Sequence, residues 1–203
     1  MRRLVLATRN AGKVRELAAL LGPLGVEVVS LADYPEIGEI PEEGDTFQEN
    51  AIFKAREVAR LTGETALADD SGLEVDALNG APGVYSARFA GEPKSDAANN
   101  AKLLRLLTGL PPEKRTARFR CVMALAVPDG RVYTAEETSE GIILDAPRGD
   151  NGFGYDPLFY VEEFGKTFAE LDLTTKNRIS HRGRALRKVK DLVLEVLQEE
   201  KAE

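Results

Sequence analysis

Residues 117–138 read ARFRCVMALAVPDGRVYTAEET, and this stretch carries the strongest strand-pairing signal in the chain. Two β-prone runs, residues 117–127 and 131–138, flank the pair Asp129-Gly130. Asp-Gly between such runs is typical of a β-hairpin, because glycine readily adopts the positive φ that tight turns need. We therefore predict an antiparallel hairpin in the middle of the chain.

Short strands and helices alternate ahead of this hairpin. Residues 3–8 and 26–29 are β-type runs, and the apolar positions between them follow the spacing of one buried helix face as far as Leu21. Thr46 and Glu49 form a capping box, in which two side chains satisfy free backbone N–H groups, so a second helix is expected to begin there.

The remaining segments complete an α/β pattern. Residues 65–69 and 73–78 are predicted as two strands that Asp70-Ser71-Gly72 interrupts in the manner of a turn. Ser95 caps a further helix, and a last helix begins near residue 180 or 182. Strands that alternate with helices, together with a hairpin, indicate an α/β fold with a mixed sheet.

Composition excludes several classes of protein. The single cysteine, Cys121, rules out an intrachain disulfide framework and cysteine-based zinc sites. The longest apolar run, residues 121–127, is far too short to span a membrane, and the apolar part of residues 1–9 is too short for a signal peptide. A net charge of −7 argues against a general nucleic-acid or anionic-membrane binder. We expect a cytoplasmic protein with no membrane or nucleic-acid partner.

Charge is unevenly distributed along the chain. Residues 16–53 contain nine acids and no Lys or Arg, whereas residues 173–190 contain seven bases and no acid. Such blocks are usually solvated faces, and the alternative is a cation site opposed to an anion site.

The first candidate site is Thr8-Arg9-Asn10-Ala11-Gly12-Lys13, at a predicted strand-to-helix junction. A helix N-terminus offers unpaired N–H groups and a partial positive charge, and Lys13 adds a full charge, so the junction suits phosphate. It is not a P-loop, since that pattern needs Gly and Ser or Thr where this chain has Ala7 and Val14. The alternative is an ordinary helix start with an exposed lysine.

The second candidate site is Ala68-Asp69-Asp70-Ser71-Gly72. Two adjacent acids at a strand end are costly unless a cation lies beside them. Mg²⁺ typically takes one or two carboxylates together with water and substrate phosphates. The alternative is a polar turn between two strands.

Two further clusters lie in the C-terminal half. In Gly152-Phe153-Gly154-Tyr155-Asp156-Pro157, an aromatic residue between glycines suits contact with a flat ring, unless Phe153 and Tyr155 are simply core residues. Lys176-Asn177-Arg178-Ile179-Ser180-His181-Arg182-Gly183 offers a point charge and forked donors, although a lone histidine is more often structural. Together the four clusters suit a nucleoside triphosphate and predict a Mg²⁺-dependent enzyme that acts on a phosphorylated small molecule.

These motifs, in this order, resemble the inosine/xanthosine triphosphate pyrophosphatase family. The resemblance spans nearly the whole chain. Besides the clusters above, it includes Glu42-Glu43-Gly44-Asp45-Thr46-Phe47, Glu49-Asn50-Ala51, Lys54-Ala55 and Gly80-Ala81-Pro82-Gly83-Val84-Tyr85-Ser86-Ala87-Arg88.

The resemblance implies an activity and an architecture. The activity is Mg²⁺-dependent hydrolysis of ITP, dITP or XTP to the monophosphate and pyrophosphate, which keeps noncanonical purines out of DNA and RNA. The architecture is a single domain over residues 1–203, in which an elongated mixed β-sheet with flanking helices forms two lobes around a central cleft that holds the active site. The resemblance also implies a homodimer.

Residue roles follow from the same resemblance. Asp70 would be the general base, and Glu42 and Asp70 would hold Mg²⁺. Glu42 and Glu43 both precede Gly44 and stay open as alternatives, although alignment on the glycine favours Glu42; a ligand role for Asp69 is also open. Thr8, Asn10 and Lys13 would hold the phosphates, with Lys176 assisting, and Ser71 would contact the substrate. The base pocket would be lined by Phe153, Gly154, Tyr155, Asp156, His181 and Arg182, and the remaining substrate-binding residues would be Arg9, Ala11 and Gly12.

Three alternatives compete with this hypothesis. One is a pyrophosphatase for other modified or pyrimidine nucleotides, and a second is a non-catalytic module that binds inosine nucleotides. A third is an RNA-associated protein that uses residues 173–190, which the net charge opposes.

Overall fold

A computed structural model describes residues 2–199 and shows a mixed seven-stranded sheet flanked by helices. The sheet has the strand order β2-β1-β3-β4-β5-β6-β7. Strand β1 pairs in parallel with β2 and β3, whereas β6 pairs antiparallel with β5 and β7. The strands are β1 Arg2–Leu6, β2 Val26–Ser30, β3 Ala66–Val75, β4 Thr116–Ala126, β5 Val132–Ile143, β6 Phe159–Val161 and β7 Lys166–Thr167. The predicted α/β class with a mixed sheet is confirmed.

Four helices begin after a residue whose side chain accepts hydrogen bonds from free backbone N–H groups, namely Asn10, Thr46, Ser95 and Asp172. Thr46 and Glu49 form the predicted capping box at the start of α2, and Ser95 caps α3. Helix α4 follows the cap Asp172 and was not predicted, because seven residues are too few to show an apolar periodicity. The helices are α1 Ala11–Leu21, α2 Phe47–Thr62, α3 Asp96–Leu106, α4 Leu173–Ile179 and α5 His181–Glu199. None of the helices in the described range is long and apolar enough to cross a membrane.

The predicted hairpin joins β4 to β5, which are neighbours in the sheet. The N–H of Gly130 donates to the carbonyl of Val127, and the N–H of Val127 donates to the carbonyl of Arg131. Gly130 has a φ of 100°, which is the left-handed conformation that the Asp-Gly signal required.

The turn predicted at Asp70-Ser71-Gly72 is wrong. Strand β3 runs without interruption from Ala66 to Val75, so both aspartates lie inside a strand rather than at its end. The sequence signal failed because Asp and Gly disfavour strands only weakly, and pairing with neighbouring strands overrides that preference. Burial of Ala66, Leu67, Leu73 and Val75 on either side supplies the apolar contact that keeps the strand continuous.

The chain divides into two compact units. The first unit comprises residues 1–70, 121–137 and 182–203, and the second unit comprises residues 71–120 and 138–181. In the first unit, α5 buries an apolar stripe, and this stripe shares a core with residues of β1, α1 and β4. That stripe consists of Leu186, Val189, Val193, Val196 and Leu197.

The core of the second unit is built around aromatic rings. The ring of Phe119 lies 4.5 Å from that of Phe159 and stacks on that of Phe168 at 5.7 Å. Ring pairs at such distances stabilise a core beyond the burial of their apolar surface. The 152–157 loop adds Tyr155 to this core, and Tyr155 is only 5% exposed.

Candidate active site

The residues at the start of α1 form a compact cap in the first unit. The side chain of Asn10 accepts hydrogen bonds from the N–H groups of Gly12 and Lys13, and Thr8 accepts one from the N–H of Asn10. Asn10 therefore satisfies two of the helix donors that the sequence assigned to phosphate. The side chain of Lys13 extends from this first turn to Asp69, with 3.2 Å between its Nζ and Oδ2 of Asp69.

Arg9 holds the segment that follows β2. Its guanidinium donates to the carbonyls of Leu31 at 2.8 Å and Tyr34 at 3.4 Å, and to that of Ile37. These bonds tie the strand-to-helix junction to a loop of the acidic block. A substrate contact for Arg9 stays a prediction.

A buried network of ion pairs surrounds Asp69. Besides Lys13, the carboxylate accepts from Nε of Arg182 at 3.1 Å, and NH1 of Arg182 donates to Glu16. Arg182 is only 2% exposed and Glu16 likewise 2%. Burial on its own would raise the pKa of Asp69, but Lys13 and Arg182 hold that pKa well below its usual range. Asp69 is therefore ionised and strongly paired.

Asp70, the next residue, has a different environment. It is 6% exposed, and its Oδ2 has no hydrogen-bond partner among the described residues. Burial raises the pKa of this carboxyl and the charge of Glu42 adds to the effect, whereas Lys54 and Lys13 oppose it. A buried acceptor without a partner is unfavourable, and a carboxyl with a raised pKa is a frequent mark of a reactive group.

Lys54 links the acidic loop to strand β3. Its ammonium group lies 2.6 Å from Oε1 of Glu42 and donates to the backbone carbonyl of Asp69 at 2.8 Å. Glu42 lies close enough to Asp70 to raise the pKa of that carboxyl, whereas Glu43 is exposed. This difference favours Glu42 over Glu43 as the second carboxylate.

The residues present fit a hard divalent cation for which the protein supplies only some of the ligands. No group of three or more His, Cys, Asp and Glu side chains in the described part of the chain is arranged to hold a metal ion. Mg²⁺ usually binds through one or two carboxylates and completes its shell with water and substrate phosphates. The unpartnered Oδ2 of Asp70, with Glu42 nearby, matches that requirement.

In the second unit, Asp156 organises the 152–157 loop. Its Oδ2 accepts from the backbone N–H of Phe153 at 3.0 Å and from Nζ of Lys176 at 2.6 Å. A Cβ at Gly152 would lie 2.1 Å from that same oxygen, so only glycine fits there. The hydroxyl of Tyr155 donates to the carbonyl of Ser86 at 2.6 Å. The loop is thus fixed by buried polar contacts of its own unit.

Lys176 and His181 are both buried beside aromatic rings. The ammonium of Lys176, besides its pair with Asp156, lies 4.9 Å from the ring centre of Phe153. The imidazole of His181 stacks on Phe119 at 4.7 Å with an angle of 15° between the rings. A role for Lys176 at the phosphates and a role for His181 at the base stay predictions.

The structure separates two residues that the sequence grouped together. His181 packs in the second unit, whereas its neighbour Arg182 belongs to the ion-pair network of the first. Glu16 was not singled out from the sequence, because its partner Arg182 lies 166 residues further along the chain. Ser71, predicted as a substrate contact, directly follows Asp70 and is half-buried.

Comparison with known proteins identifies the relatives of this arrangement. The model of the Ham1 family matches residues 4–192. The chain belongs to the Ham1 family. The family resemblance read from the motifs is thereby confirmed. A protein named dITP/XTP pyrophosphatase from Desulforamulus reducens is 64% identical over 94% of this chain and 95% of its own length. One of the same name from Geobacter sulfurreducens is 59% identical over 94% of this chain and 96% of its own length.

Solved structures of the Ham1 family share the fold. The HAM1 protein from Coxiella burnetii is 44% identical, with a TM-score of 0.84, and the match covers 96% of this chain and all of that one. A nucleoside-triphosphatase described as a dITP/XTP pyrophosphatase from Mycobacterium abscessus is 47% identical, with a TM-score of 0.72 over 92% of this chain and 97% of that one.

Proposed function

We propose that this chain hydrolyses noncanonical purine nucleoside triphosphates (ITP, dITP and XTP) to the monophosphate and pyrophosphate, with Mg²⁺. The observation that carries the proposal is the state of Asp70, a buried carboxyl with a raised pKa that lies next to a second carboxylate and two lysines. Its Oδ2 has no hydrogen-bond partner in the part of the chain that the structure describes. Relatives that are 64% and 59% identical bear the name dITP/XTP pyrophosphatase, which supports the reaction class. The enzyme is accordingly a hydrolase of phosphoric anhydrides.

Asp70 is proposed as the general base. Attack on the α-phosphorus requires a water molecule that loses a proton as the new P–O bond forms, and a carboxylate within hydrogen-bond reach accepts it. Asp70 is buried, and its Oδ2 has no hydrogen-bond partner among the described residues, so this oxygen is available to orient the attacking water. Glu42 and Asp70 would hold Mg²⁺, which would supply positive charge to offset the negative charge that develops on the leaving pyrophosphate.

Cationic groups of the first unit are proposed to bind the triphosphate. Lys13 is held by Asp69 at the start of α1, and Lys54 is held by Glu42. Both ammonium groups are oriented before substrate binds, so little side-chain freedom is lost when phosphate arrives. Thr8, Arg9, Asn10, Ala11, Gly12 and Ser71 are proposed as further substrate contacts on the strength of the motif alone.

The 152–157 loop of the second unit is proposed to bind the base, and the residues assigned to the base are Phe153, Gly154, Tyr155, Asp156, His181 and Arg182. Lys176 is proposed to assist at the phosphates. Hypoxanthine and xanthine carry a 6-oxo acceptor and an N1–H donor, whereas adenine carries a 6-amino donor and a bare N1. In a buried site that donates to the 6-oxo group, the donor of the site would face the 6-amino donor of adenine, and no hydrogen bond could form. Sites built to bond one such group can discriminate by about 10⁴.

The remaining expectations stay proposals. They are a cytoplasmic homodimer without a nucleic-acid partner, one two-lobed domain over residues 1–203, and a biological role in keeping noncanonical purines out of DNA and RNA.

The test is product analysis with ITP, XTP, GTP, dTTP and ATP, with and without Mg²⁺. We expect pyrophosphate from ITP and XTP only when Mg²⁺ is present. Orthophosphate would mean cleavage at the γ-phosphorus and would overturn the mechanism. Release from dTTP alone would favour a pyrimidine enzyme, and tight ITP binding without turnover would favour a binding module.

A further inference from the structure

Helix α3 holds the peptide groups of Gly154 from both sides. The N–H of Gly154 donates to Oδ2 of Asp96 at 2.9 Å. The carbonyl of Gly154 accepts from Nδ2 of Asn100, also at 2.9 Å. Neither Asp96 nor Asn100 belongs to the motifs that identify the family resemblance, and both lie within the second unit.

The two side chains stand on a rigid support. Asp96 and Asn100 are four residues apart, so they lie on one face of the helix about one turn from each other. Ser95 caps this helix through the N–H of Ala98, and Leu103 and Leu107 are fully buried at its other end. The position of Gly154 is therefore set by an element that is anchored at both ends.

The two hydrogen bonds to Gly154 also orient the peptide groups on either side of it. A peptide bond is planar and trans, so the carbonyl of one residue and the N–H of the next point in opposite directions. When Asn100 fixes the carbonyl of Gly154, it fixes the direction of the N–H of Tyr155. When Asp96 fixes the N–H of Gly154, it fixes the carbonyl of Phe153.

We call the two hydrogen bonds that join Gly154 to Asp96 and Asn100 the clamp. Two observations indicate that this clamp serves a ligand. Gly154 has a φ of 61°, and a Cβ built on it would meet nothing within 4 Å, so its outer side is open to a flat ring. Asn100 also carries a buried Oδ1 that has no hydrogen-bond partner among the described residues. An amide that leaves one buried acceptor unused is a poor choice for stability alone.

We propose that Asp96 and Asn100 are positioning residues that set the selectivity for the base by fixing the Gly154 peptide. The proposal rests on the proposed function, in which the 152–157 loop reads a 6-oxopurine. When its direction is fixed, the backbone N–H of Tyr155 favours the 6-oxo acceptor and repels a 6-amino donor. When the peptide is free to turn, it can suit either base. Loss of the clamp therefore lowers discrimination between ITP and ATP more than it lowers turnover of ITP.

Asn99 provides a matched control on the same helix. Its Oδ1 accepts from the N–H of Ala90 at 2.8 Å, and its Nδ2 donates to the carbonyl of Ala87 at 3.0 Å. Asn99 thus clamps a different loop with the same chemistry. Replacement of either asparagine by alanine removes the same atoms, but only Asn100→Ala releases Gly154.

The experiment measures kcat/KM for ITP and for ATP in the wild type and in Asn100→Ala, Asn100→Asp, Asp96→Ala and Asn99→Ala. Circular dichroism and the melting temperature establish that each variant is folded. Asp96 is exposed, so its replacement is an independent variant that does not threaten the core. In Asn100→Asp the amide donor is replaced by a carboxylate that repels the carbonyl of Gly154.

We expect the ITP-to-ATP ratio of kcat/KM to fall about ten-fold in both Asn100 variants and several-fold in Asp96→Ala, which corresponds to the loss of one hydrogen bond. Asn99→Ala keeps the wild-type ratio within about two-fold, whatever its melting temperature. An unchanged ratio in folded Asn100→Ala and Asp96→Ala would overturn the clamp, and so would an equal fall in all variants. A wild type that does not prefer ITP would instead contradict the proposed function.

Discussion

At the scale of single residues, Asp69 and Asp70 show how two identical side chains next to each other acquire different properties. Asp69 faces Lys13 and Arg182, which depress its pKa and keep it ionised. Asp70 is buried beside Glu42, and burial raises its pKa. A pair of carboxyls whose environments push their pKa values apart commonly marks a division between a structural and a reactive role.

This difference predicts opposite outcomes for two isosteric substitutions. Asp70→Asn should lower kcat for ITP by at least about 10²-fold, because the base that accepts the water proton is lost. Its free energy of unfolding should stay equal or rise, because the amide carries no charge that must be buried. Steady-state kinetics and urea denaturation of the same preparation measure both quantities.

Asp69→Asn is the control for the same experiment. The amide cannot balance the charges of Lys13 and Arg182, so we expect its free energy of unfolding to fall by roughly 3–5 kcal/mol. A correctly folded Asp70→Asn protein with near-normal turnover would reject Asp70 as the base. Equal stability losses in the two variants would contradict the assignment of Asp69 to the ion-pair network.

The sequence located this acid pair but could not divide the roles. The distinction depends on Arg182, which lies 113 residues away, and on the loop that carries Glu42. No local pattern encodes such contacts, because they form only when distant segments pack together. The family motif, in contrast, named Asp70 without giving the physical reason.

At the scale of elements, the sequence predicts turns and helix caps correctly, because these features depend on residues close together in the chain. The Asp129-Gly130 turn, the Thr46 capping box and the Ser95 cap each involve atoms within a few residues of one another. The break predicted in β3 failed because strand pairing is not local. Asp96 and Asn100 were missed because the loop they hold lies more than fifty residues further along the chain.

The 152–157 loop supports a prediction on two glycines. Both Gly152 and Gly154 have a positive φ, so alanine at either position costs about 1–2 kcal/mol in backbone strain. Only at Gly152 would the added Cβ also strike Oδ2 of Asp156 and push it from Lys176. We therefore expect Gly152→Ala to lose clearly more unfolding free energy than Gly154→Ala, as measured by chemical denaturation.

Kinetics complete this comparison. The Cβ of Gly154→Ala points into open space, where the base is proposed to lie, so this variant should raise KM for ITP while it stays folded. Equal stability of the two variants would show that Asp156 is free to move. An unchanged KM in Gly154→Ala would place the base elsewhere.

At the scale of the whole molecule, the acidic and basic blocks of the sequence each contribute a residue to a buried ion pair. Glu16 from the acidic block pairs with Arg182 from the basic block in the interior of the first unit. The blocks are thus more than solvated faces, although the sequence left that alternative open. The match of the Ham1 family model over residues 4–192 includes both blocks.

Hydrolysis of ITP with Mg²⁺ in H₂¹⁸O shows which phosphorus the water attacks, and the proposed mechanism requires attack on the α-phosphorus. Mass spectrometry of the products locates the new P–O bond. We expect ¹⁸O in the inosine monophosphate and none in the pyrophosphate. Label in the pyrophosphate, or in released orthophosphate, would place the attack at another phosphorus and contradict the mechanism.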